Sequence, residues 1–534
     1  MREGEVYKAS AFCMIVFELV IGLLFVGALL SLVARRARVP YPALLALAGA
    51  GLALVPDVPS VVLDPELALA LFVAPVLLDA AFDSSPRDLK ENWRQITGLA
   101  LLAVGFTVVA VAVVARAFEP GLSWAAAIAL GAIVAPPDAA AATAVLKQLR
   151  LPHRLLVVLE GESLFNDASA LLIYRLAVAA ATGAVFSPWS ALPVLLASSL
   201  GSVLLGLALA WVAERMFGRI KEVGTAVLVQ FLTTFAIWIL AERLHLSGII
   251  TIVVFGITVA RTAGVTPARL RVPSFAVWEV TVFVLNVLAF ILVGLQLKPI
   301  VQDLSAGQLA RYASGAAAVC AAVILVRVLW VGVYEAGARL LRQVTRFERP
   351  ARHPSPRAAL LVAWCGMRGT VTLAAALALP VGSAGQAGFP HRDFILFTAF
   401  CVVLVTLVVQ GMTLTPLMRV LALDDDGALG HELTVGRQTV ARAGLAALQD
   451  SESVDDEADV LRRKYELRVR RLELDPDQSE ARAEGGAEPD PLHRALTAER
   501  RALIELRTRG VIGDDAYHKI EEELDWAELH ADAR

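Results

Sequence analysis

Apolar runs follow one another along the first 420 positions, separated by short polar stretches. A helix rises 1.5 Å per residue, so about 20 apolar residues cross about 30 Å of hydrocarbon. Runs that reach or approach this length occur at 11–34, 40–56, 62–82, 95–117, 124–146, 156–183, 190–213, 223–242, 246–264, 276–297, 309–338, 358–380 and 393–419. The pattern predicts an all-α polytopic membrane protein with about thirteen transmembrane helices.

Basic residues are concentrated in every second connection between these runs. The basic connections contain Arg35, Arg36 and Arg38; Arg87, Lys90 and Arg94; Lys147, Arg150 and Arg154; Arg215, Arg219 and Lys221; Arg261, Arg269 and Arg271; and the stretch 339–357. Because short basic loops stay in the cytoplasm, we expect the N-terminus outside and everything after Arg419 inside the cell. The alternation of basic and non-basic connections also supports the count of thirteen helices, since one misplaced helix would disrupt the alternation.

The last part of the chain, 421–534, is rich in Glu, Asp and Arg. Helical spacing of apolar residues occurs in 445–474 and 492–529, and the acidic, Pro- and Gly-containing stretch 475–491 is typical of a linker. The pattern predicts a mainly helical cytoplasmic tail that regulates the membrane part or binds a partner that the sequence does not identify. A solvated charged tail with transient helix is the alternative.

Composition agrees with the membrane assignment and narrows the chemistry. The chain is 57% hydrophobic and 19% charged, with a mean hydropathy of +0.65, which excludes an ordinary soluble globular protein. The net charge of -3 gives no reason to expect nucleic-acid binding. The four cysteines lie in apolar segments without metal-ligand or disulfide spacing, so no cofactor is expected.

Charged residues interrupt the sixth apolar run, where residues 160–176 read EGESLFNDASALLIYRL. A carboxylate near the middle of a bilayer costs roughly 2.5 to 3.5 kcal/mol, so it is normally paired, hydrated or functional. Ser163 and Asp167 are four residues apart and share a helix face, whereas Glu162 and Asp167 diverge by about 140°. We therefore expect Glu162 and Asp167 to face different partners, with Asn166 on the side of Glu162.

Two other runs contain helix breakers near their middle. The fifth run includes GAIVAPPDAAAAT, in which two prolines precede Asp138, and the twelfth includes AWCGMRGTVTLAAAL, in which glycines flank Arg368. Because proline lacks an amide donor and disfavours helix at the residue before it, the fifth helix is predicted to be broken. Such breaks are tolerated where they line a polar cavity.

The arginine in the second break cannot lose its charge, so it requires a carboxylate or carbonyl oxygens nearby. Glu162 is the first candidate and Glu160 the second. Broken helices at matching positions in two halves of a transporter indicate a binding site between inverted repeats. A division into six helices, a linker helix at 190–213 and six further helices makes the fifth and twelfth runs correspond.

Three further polar residues lie in apolar runs. Asp79, near the end of the third run, is either part of a site or an interfacial acid. Asn286, in the tenth, lines the site or forms a helix-packing hydrogen bond. Arg327, in the eleventh, is a snorkelling or internally paired cation.

The motifs together resemble the monovalent cation:proton antiporter family of sodium/proton exchangers. They are GESLFNDA at 161–168, the proline break that ends in Asp138, WCGMRGTVTLA around Arg368 and HLSGIITIVVFG at 245–256. The likeness extends in order over residues 11–420 and implies a homodimer in the lipid bilayer with two crossed, unwound helices in each protomer.

The resemblance also divides the transmembrane domain, residues 1–420. Helices at 11–82 and 223–297 would form the dimerisation side, and helices at 95–183 and 309–419 would form the moving core.

The family pattern implies roles for individual residues. Asp167 would carry the ion and the proton, with Asn166 beside it, and Asp138 and Ser163 would complete the alkali-cation ligands. Asp79 would stand where a glutamate is frequent. Glu162 and Arg368 would form a buried structural ion pair. The chain departs from the pattern at Pro137, where a threonine is usual, and at Ala139, where a proline is common. The choice among Na⁺, Li⁺ and K⁺ therefore stays open.

The predicted function is exchange of a monovalent cation for protons by alternating access, in pH and cation homeostasis at the cell membrane, and not an enzymatic reaction. The neutral amide of Asn166, with the resemblance, favours electroneutral exchange. One alternative is a channel or a transporter for another solute, including a K⁺-selective exchanger. Another is an intramembrane hydrolase with Asp138 and Asp167 as a dyad, which would leave Asn166 unexplained.

Overall fold

The computed structural model describes residues 2–37, 39–56, 65–84, 86–146, 153–182, 188–217, 219–262, 268–302, 304–345, 356–381 and 388–421, with 438, 441–446, 456–474 and 526 of the tail. All regular secondary structure in these residues is helical. The chain forms two compact units, Met1–Asp425 and Asp426–Arg534. The all-α prediction is confirmed for the described residues.

The first unit consists of helices that follow the predicted apolar runs. They are α1 (Arg2–Ala37), α2 (Tyr41–Ala53), α3 (Pro65–Ala68), α4 (Ala74–Asp83), α5 (Pro86–Glu91), α6 (Trp93–Thr97), α7 (Val104–Phe118), α8 (Trp124–Val134), α9 (Ala139–Leu146), α10 (His153–Ala181), α11 (Pro188–Phe217), α12 (Val223–Arg243), α13 (Gly248–Thr262), α14 (Ala268–Leu295), α15 (Leu297–Val301), α16 (Ala306–Thr345), α17 (Pro356–Trp364), α18 (Thr370–Leu377), α19 (Arg392–Val405) and α20 (Gly411–Leu421).

Eight helical segments among the described residues are long and apolar enough to cross a membrane. They are Phe17–Ala37, Trp93–Phe118, Arg154–Ala181, Leu196–Phe217, Val223–Arg243, Pro273–Val301, Ala306–Gly337 and Arg392–Leu421. The other five predicted runs also contain helix, but their helices are short or interrupted. The exact count of thirteen and the inverted repeats therefore stay predictions.

Both predicted helix breaks are present. The first separates α8 from α9 at residues 135–138, and the second separates α17 from α18 at residues 365–369. Among the described residues, three π-helical turns occur that were not predicted: Leu69–Val73, Gly98–Ala103 and Thr406–Gln410. Pro75 follows the first of them near the start of α4, where its missing amide leaves a carbonyl of the preceding turn without its helical donor.

Helices α2 and α14 pack backbone against backbone through two glycines. A Cβ atom on Gly49 would overlap the carbonyl oxygen of Ile291, and one on Gly294 would overlap that of Ala46. Lipid tails are as apolar as the side chains, so burying apolar side chains between two helices gives little driving force in a membrane. Close packing through small residues is therefore a main source of helix association there. The two glycines thus determine the distance between these helices.

In the second unit the structure describes residues 441–446 and the helix Asp456–Leu474. The ring of Tyr465 lies against Gly444, so these two segments contact each other. Helix is thus present in two parts of the first predicted tail segment. The second, 492–529, lies outside the described residues except for Trp526.

Candidate functional site

The two breaks meet at a crossing in the core of the first unit. The backbone amide of Asp138, in the first break, donates a hydrogen bond of 2.7 Å to the carbonyl of Met367 in the second. The carboxylate of Asp138 lies directly over Gly369, where a Cβ atom would overlap Oδ2. A glycine at the start of α18 is therefore what leaves room for this carboxylate.

Arg368 is fully buried at the crossing and is held by backbone oxygens. Its Nε donates to the carbonyl of Val134 at 3.0 Å and its Nη2 to that of Ala135 at 3.1 Å. Its Nη1 donates to the carbonyl of Gly366, and its own amide donates to Thr406 Oγ1 at 3.0 Å. The arginine thus satisfies carbonyls at the end of α8, where the proline pair interrupts the helical ladder.

Glu162 pairs with Arg327 of α16, so the predicted pair of Glu162 with Arg368 is wrong. The guanidinium is bidentate, with Nη1 at 2.5 Å from Oε1 and Nη2 at 2.8 Å from Oε2, and Nη2 also donates to the Val362 carbonyl at 3.1 Å. Both side chains are almost inaccessible, at 4% and 1% exposed. The physical reason is that carbonyls already satisfy Arg368, so the Glu162 carboxylate serves Arg327, the arginine that has fewer carbonyl partners.

This arrangement bears out three other expectations. The internally paired alternative for Arg327 is the one observed, and carbonyl oxygens, the other ligand type considered for Arg368, are its partners. Glu162 faces α16 whereas Asp167 faces a cavity, so the two carboxylates of one helix have different partners, as their spacing predicts.

Asn166 braces α10 against the first break. Its side chain is completely buried, and its Nδ2 donates to the carbonyl of Pro137 at 3.2 Å. Among the described residues its Oδ1 has no hydrogen-bond partner. The amide therefore links two backbone segments and is not part of the cavity wall.

Asp167 lies in the middle of α10, is 6% exposed and lines a cavity of about 230 Å³. Six predicted site residues line this cavity together: Asp79, Asp138, Glu160, Ser163, Asp167 and Asn286. The other three, Asn166, Glu162 and Arg368, do not line it. Asn166 and Arg368 donate to carbonyls of the first break, and Glu162 pairs with Arg327. The structure thus separates the predicted set into residues that face the cavity and residues that support them.

Five polar residues of the wall were missed: Tyr41, Asp83, Thr143, Thr370 and Thr372. A signal existed for Asp83, because it follows Asp79 by one helical turn and shares its face. The three threonines lie in the helices that follow the breaks. The side on which each threonine lies depends on how the helix restarts after the break, and the sequence does not show this.

The chemistry of the cavity wall is of the kind that suits a small cation. It combines several carboxylates with hydroxyl, amide and backbone oxygens, which are the hard ligands that alkali cations prefer. A buried carboxylate such as that of Asp167 is costly in its charged form unless a proton or a cation neutralises it. Either species would stabilise the same group, so a proton and a cation would compete for it.

Comparison with known proteins identifies the family of the chain. The family described as sodium/hydrogen exchanger, transmembrane, matches residues 20–420. A Na⁺/H⁺ exchanger of Mycobacterium bovis is 33% identical over 534 residues, covering 96% of each chain. A sodium, potassium, lithium and rubidium/H⁺ antiporter of Bacillus subtilis is 28% identical over 482 residues, covering 88% of this chain and 71% of its own.

A solved structure shows the same fold. The sodium proton antiporter of Methanocaldococcus jannaschii at pH 8 superimposes with a TM-score of 0.60 at 19% identity, covering 75% of this chain and 99% of its own. The family match covers the whole region that contains the cavity and both breaks, and the mycobacterial relative aligns along nearly the full length. The chain is a multi-pass membrane protein that belongs to the sodium/hydrogen exchanger family of monovalent cation:proton antiporters.

Proposed function

We propose that this chain exchanges a monovalent cation for protons and that Asp167 carries both. The observation that supports this is the position of Asp167, which is buried yet lines the cavity beside Asp138. Because a proton and a dehydrated cation stabilise the same carboxylate, occupation by one excludes the other. If only the occupied site changes its access, competition is sufficient for exchange.

The cation would be bound by oxygens from two helices and the first break. Asp167 and Ser163 come from α10, Asp138 from the first break and Asp79 from α4. Na⁺ is the expected ion, with Li⁺ and K⁺ as further candidates. The name of the Bacillus subtilis relative includes sodium, potassium and lithium, which supports testing all three on this chain.

The position of the cavity supports alternating access. It is bordered by Asp83 at the end of α4, by Thr143 in the last turns of α9 and by Glu160 near the start of α10. Basic loops adjoin all three of these helix ends, so this side would be the cytoplasmic one. The state described is then open inwards.

An ion pair at the opposite end of α10 would belong to the closed side. Arg175, about two turns beyond Asp167, donates from Nη2 to both carboxylate oxygens of Glu242 in α12 at 3.1 Å. In the proposed division, α10 belongs to the moving core (95–183 and 309–419) and α12 to the dimerisation side (11–82 and 223–297) of a homodimer. Opening outwards would then break this contact.

Electroneutral exchange is part of the proposal. Asn166 places a neutral amide next to Asp167 and uses that amide to hold Pro137. One charge-carrying carboxylate per cycle would move one cation against one proton. A transport rate that depends on membrane voltage would contradict this stoichiometry.

The test uses the full chain in proteoliposomes with an imposed pH gradient and an internal pH indicator, to which Na⁺, Li⁺ and K⁺ are added in turn. We expect cation-dependent proton flux in the wild type and none in Asp167→Asn. The matched control is Asp393→Asn, an exposed aspartate at the start of α19 outside the cavity, which should transport normally. Full flux in Asp167→Asn would refute the assignment, and cation flux without proton counterflow would indicate a channel.

A further inference from the structure

We propose that the hydroxyl group of Thr372 in α18 is a ligand of the transported cation and favours cation over proton at the site. The proposal rests on the proposed function and names a residue that determines its specificity. It comes from three features of Thr372: an unused hydrogen-bonding group, a position in the cavity wall, and a chemistry that a cation needs and a proton does not.

The hydroxyl of Thr372 lacks the partner that buried helical threonines normally have. A threonine in a helix usually donates to the carbonyl four residues earlier, and Thr107, Thr251 and Thr406 all do so in this protein. For Thr372 the residue four positions earlier is Arg368, which lies in the break rather than in a helical turn.

As a result, Thr372 Oγ1 has no hydrogen-bond partner among the described residues, although the side chain is only 1% exposed. Leaving a buried polar group unsatisfied costs free energy. A bound species in the adjacent cavity would remove that cost.

Thr372 also lies at the proposed site. Thr372 lines the same cavity as Asp138 and Asp167. Gly369 lies directly against the Asp138 carboxylate. Thr372 follows Gly369 by three residues, a spacing that places Gly369 and Thr372 on one face of the helix. Thr372 is therefore one turn from the contact between Gly369 and the Asp138 carboxylate.

The first break offers few neutral oxygens of its own. Pro137 has no side-chain oxygen, and its carbonyl already accepts a hydrogen bond from Asn166. A dehydrated alkali cation needs several oxygen ligands at once, so an oxygen from α18 complements those of α10 and α4. A proton needs only one carboxylate oxygen, so the hydroxyl stabilises the cation-bound form selectively.

The experiment replaces the hydroxyl with a methyl group of nearly the same size. Thr372→Val should raise the KM for the cation about tenfold in proteoliposomes, as expected for loss of one contact to a charged group, with the maximal rate retained. The inhibition constant for protons, measured by varying pH at fixed cation, should not change. Thr372→Ser keeps the oxygen and should remain within about twofold of wild type.

The chain provides a matched control in Thr398→Val. Thr398, in α19, is also fully buried and its Oγ1 also has no partner among the described residues, but it is not part of the cavity wall. This variant should leave the KM for the cation unchanged, and size-exclusion profiles in detergent should show all three variants folded.

Two results would overturn the proposal: an unchanged KM in Thr372→Val, or equal changes in Thr372→Val and Thr398→Val. If Thr372→Val misfolds, Thr372→Ser and Thr372→Ala replace it. Thr372→Ala, which lacks the hydroxyl, must then have a higher KM for the cation than Thr372→Ser, which keeps it. Failure of the proposed function looks different, because the wild type itself would then show no cation-dependent proton flux.

Discussion

Two buried arginines near the crossing have different partners, and this difference determines what each residue does. Arg327 neutralises the carboxylate of Glu162, whereas Arg368 neutralises the carbonyl dipoles at the end of α8. Helical spacing predicts that Glu162 turns away from Asp167, but it cannot say which neighbouring helix supplies the cation. The choice between two arginines depends on tertiary packing, which is why the predicted pair was wrong.

Breaking the buried pair should destabilise the protein strongly. Glu162→Gln leaves Arg327 charged without a carboxylate in a dry environment, which costs about 3–5 kcal/mol. The exposed ion pair of Arg175 with Glu242 provides the control, since Glu242→Gln removes a surface contact worth about 1 kcal/mol or less. Thermal unfolding of the detergent-solubilised protein measures both. Equal melting temperatures for the two variants would contradict the assignment.

The glycine beneath Asp138 should be essential for transport. Gly369→Ala places a methyl group where Oδ2 of Asp138 lies, so the carboxylate must move. Displacing a binding group by about 1 Å commonly reduces a rate by about tenfold or more, and cation-dependent proton flux should fall by at least that factor. Gly105→Ala, in α7, has no atom within 4 Å of the new methyl group and should be unaffected.

At the scale of helices, the interruptions differ in how visible they are in the sequence. The first break follows from two consecutive prolines and the second from glycines beside an arginine, so both are recognisable. The π-helical turn Gly98–Ala103 lies in an uninterrupted apolar run, GLALLA, which carries no local signal. Its geometry depends on neighbouring helices, and propensity alone cannot predict it.

Contact between α2 and α14 should depend on Gly294. Gly294→Ala introduces a methyl group that overlaps the backbone of Ala46, so the two helices must separate, at a cost of about 1–3 kcal/mol. Gly332→Ala, in α16, adds the same methyl group in open space and should change stability little. Melting temperatures of both variants, measured in one detergent, test this. A larger loss in Gly332→Ala would show that the glycine contact is not responsible.

On the scale of the whole molecule, the order of helices and the two breaks were predictable because hydropathy and proline positions are local properties. The path of each helix through the bilayer is not local. Short elements such as α2 and α13 are apolar, but their lengths do not show whether they cross. The internal symmetry likewise requires relative orientations that the order of runs does not contain.

Linking α10 to α12 should stop exchange. In Arg175→Cys/Glu242→Cys, a reducible bifunctional thiol reagent would hold together two helices that the proposed cycle separates. Cation-dependent proton flux should disappear on cross-linking and return on reduction. Arg175→Cys alone and Glu242→Cys alone, treated with the same reagent, should retain flux. Undiminished flux in the cross-linked protein would show that this contact persists throughout the cycle.

The hydrogen bonds across the crossing have a mechanical consequence. Arg368 ties the second break to the end of α8, Asp138 ties the first break to Met367, and Asn166 ties α10 to Pro137. These hydrogen bonds join three helices, so in the proposed cycle they would move as one stiff block. A block that keeps its shape while its surroundings shift presents the same set of oxygens to both sides of the membrane, and the intrinsic affinity for the cation should then be the same from either side.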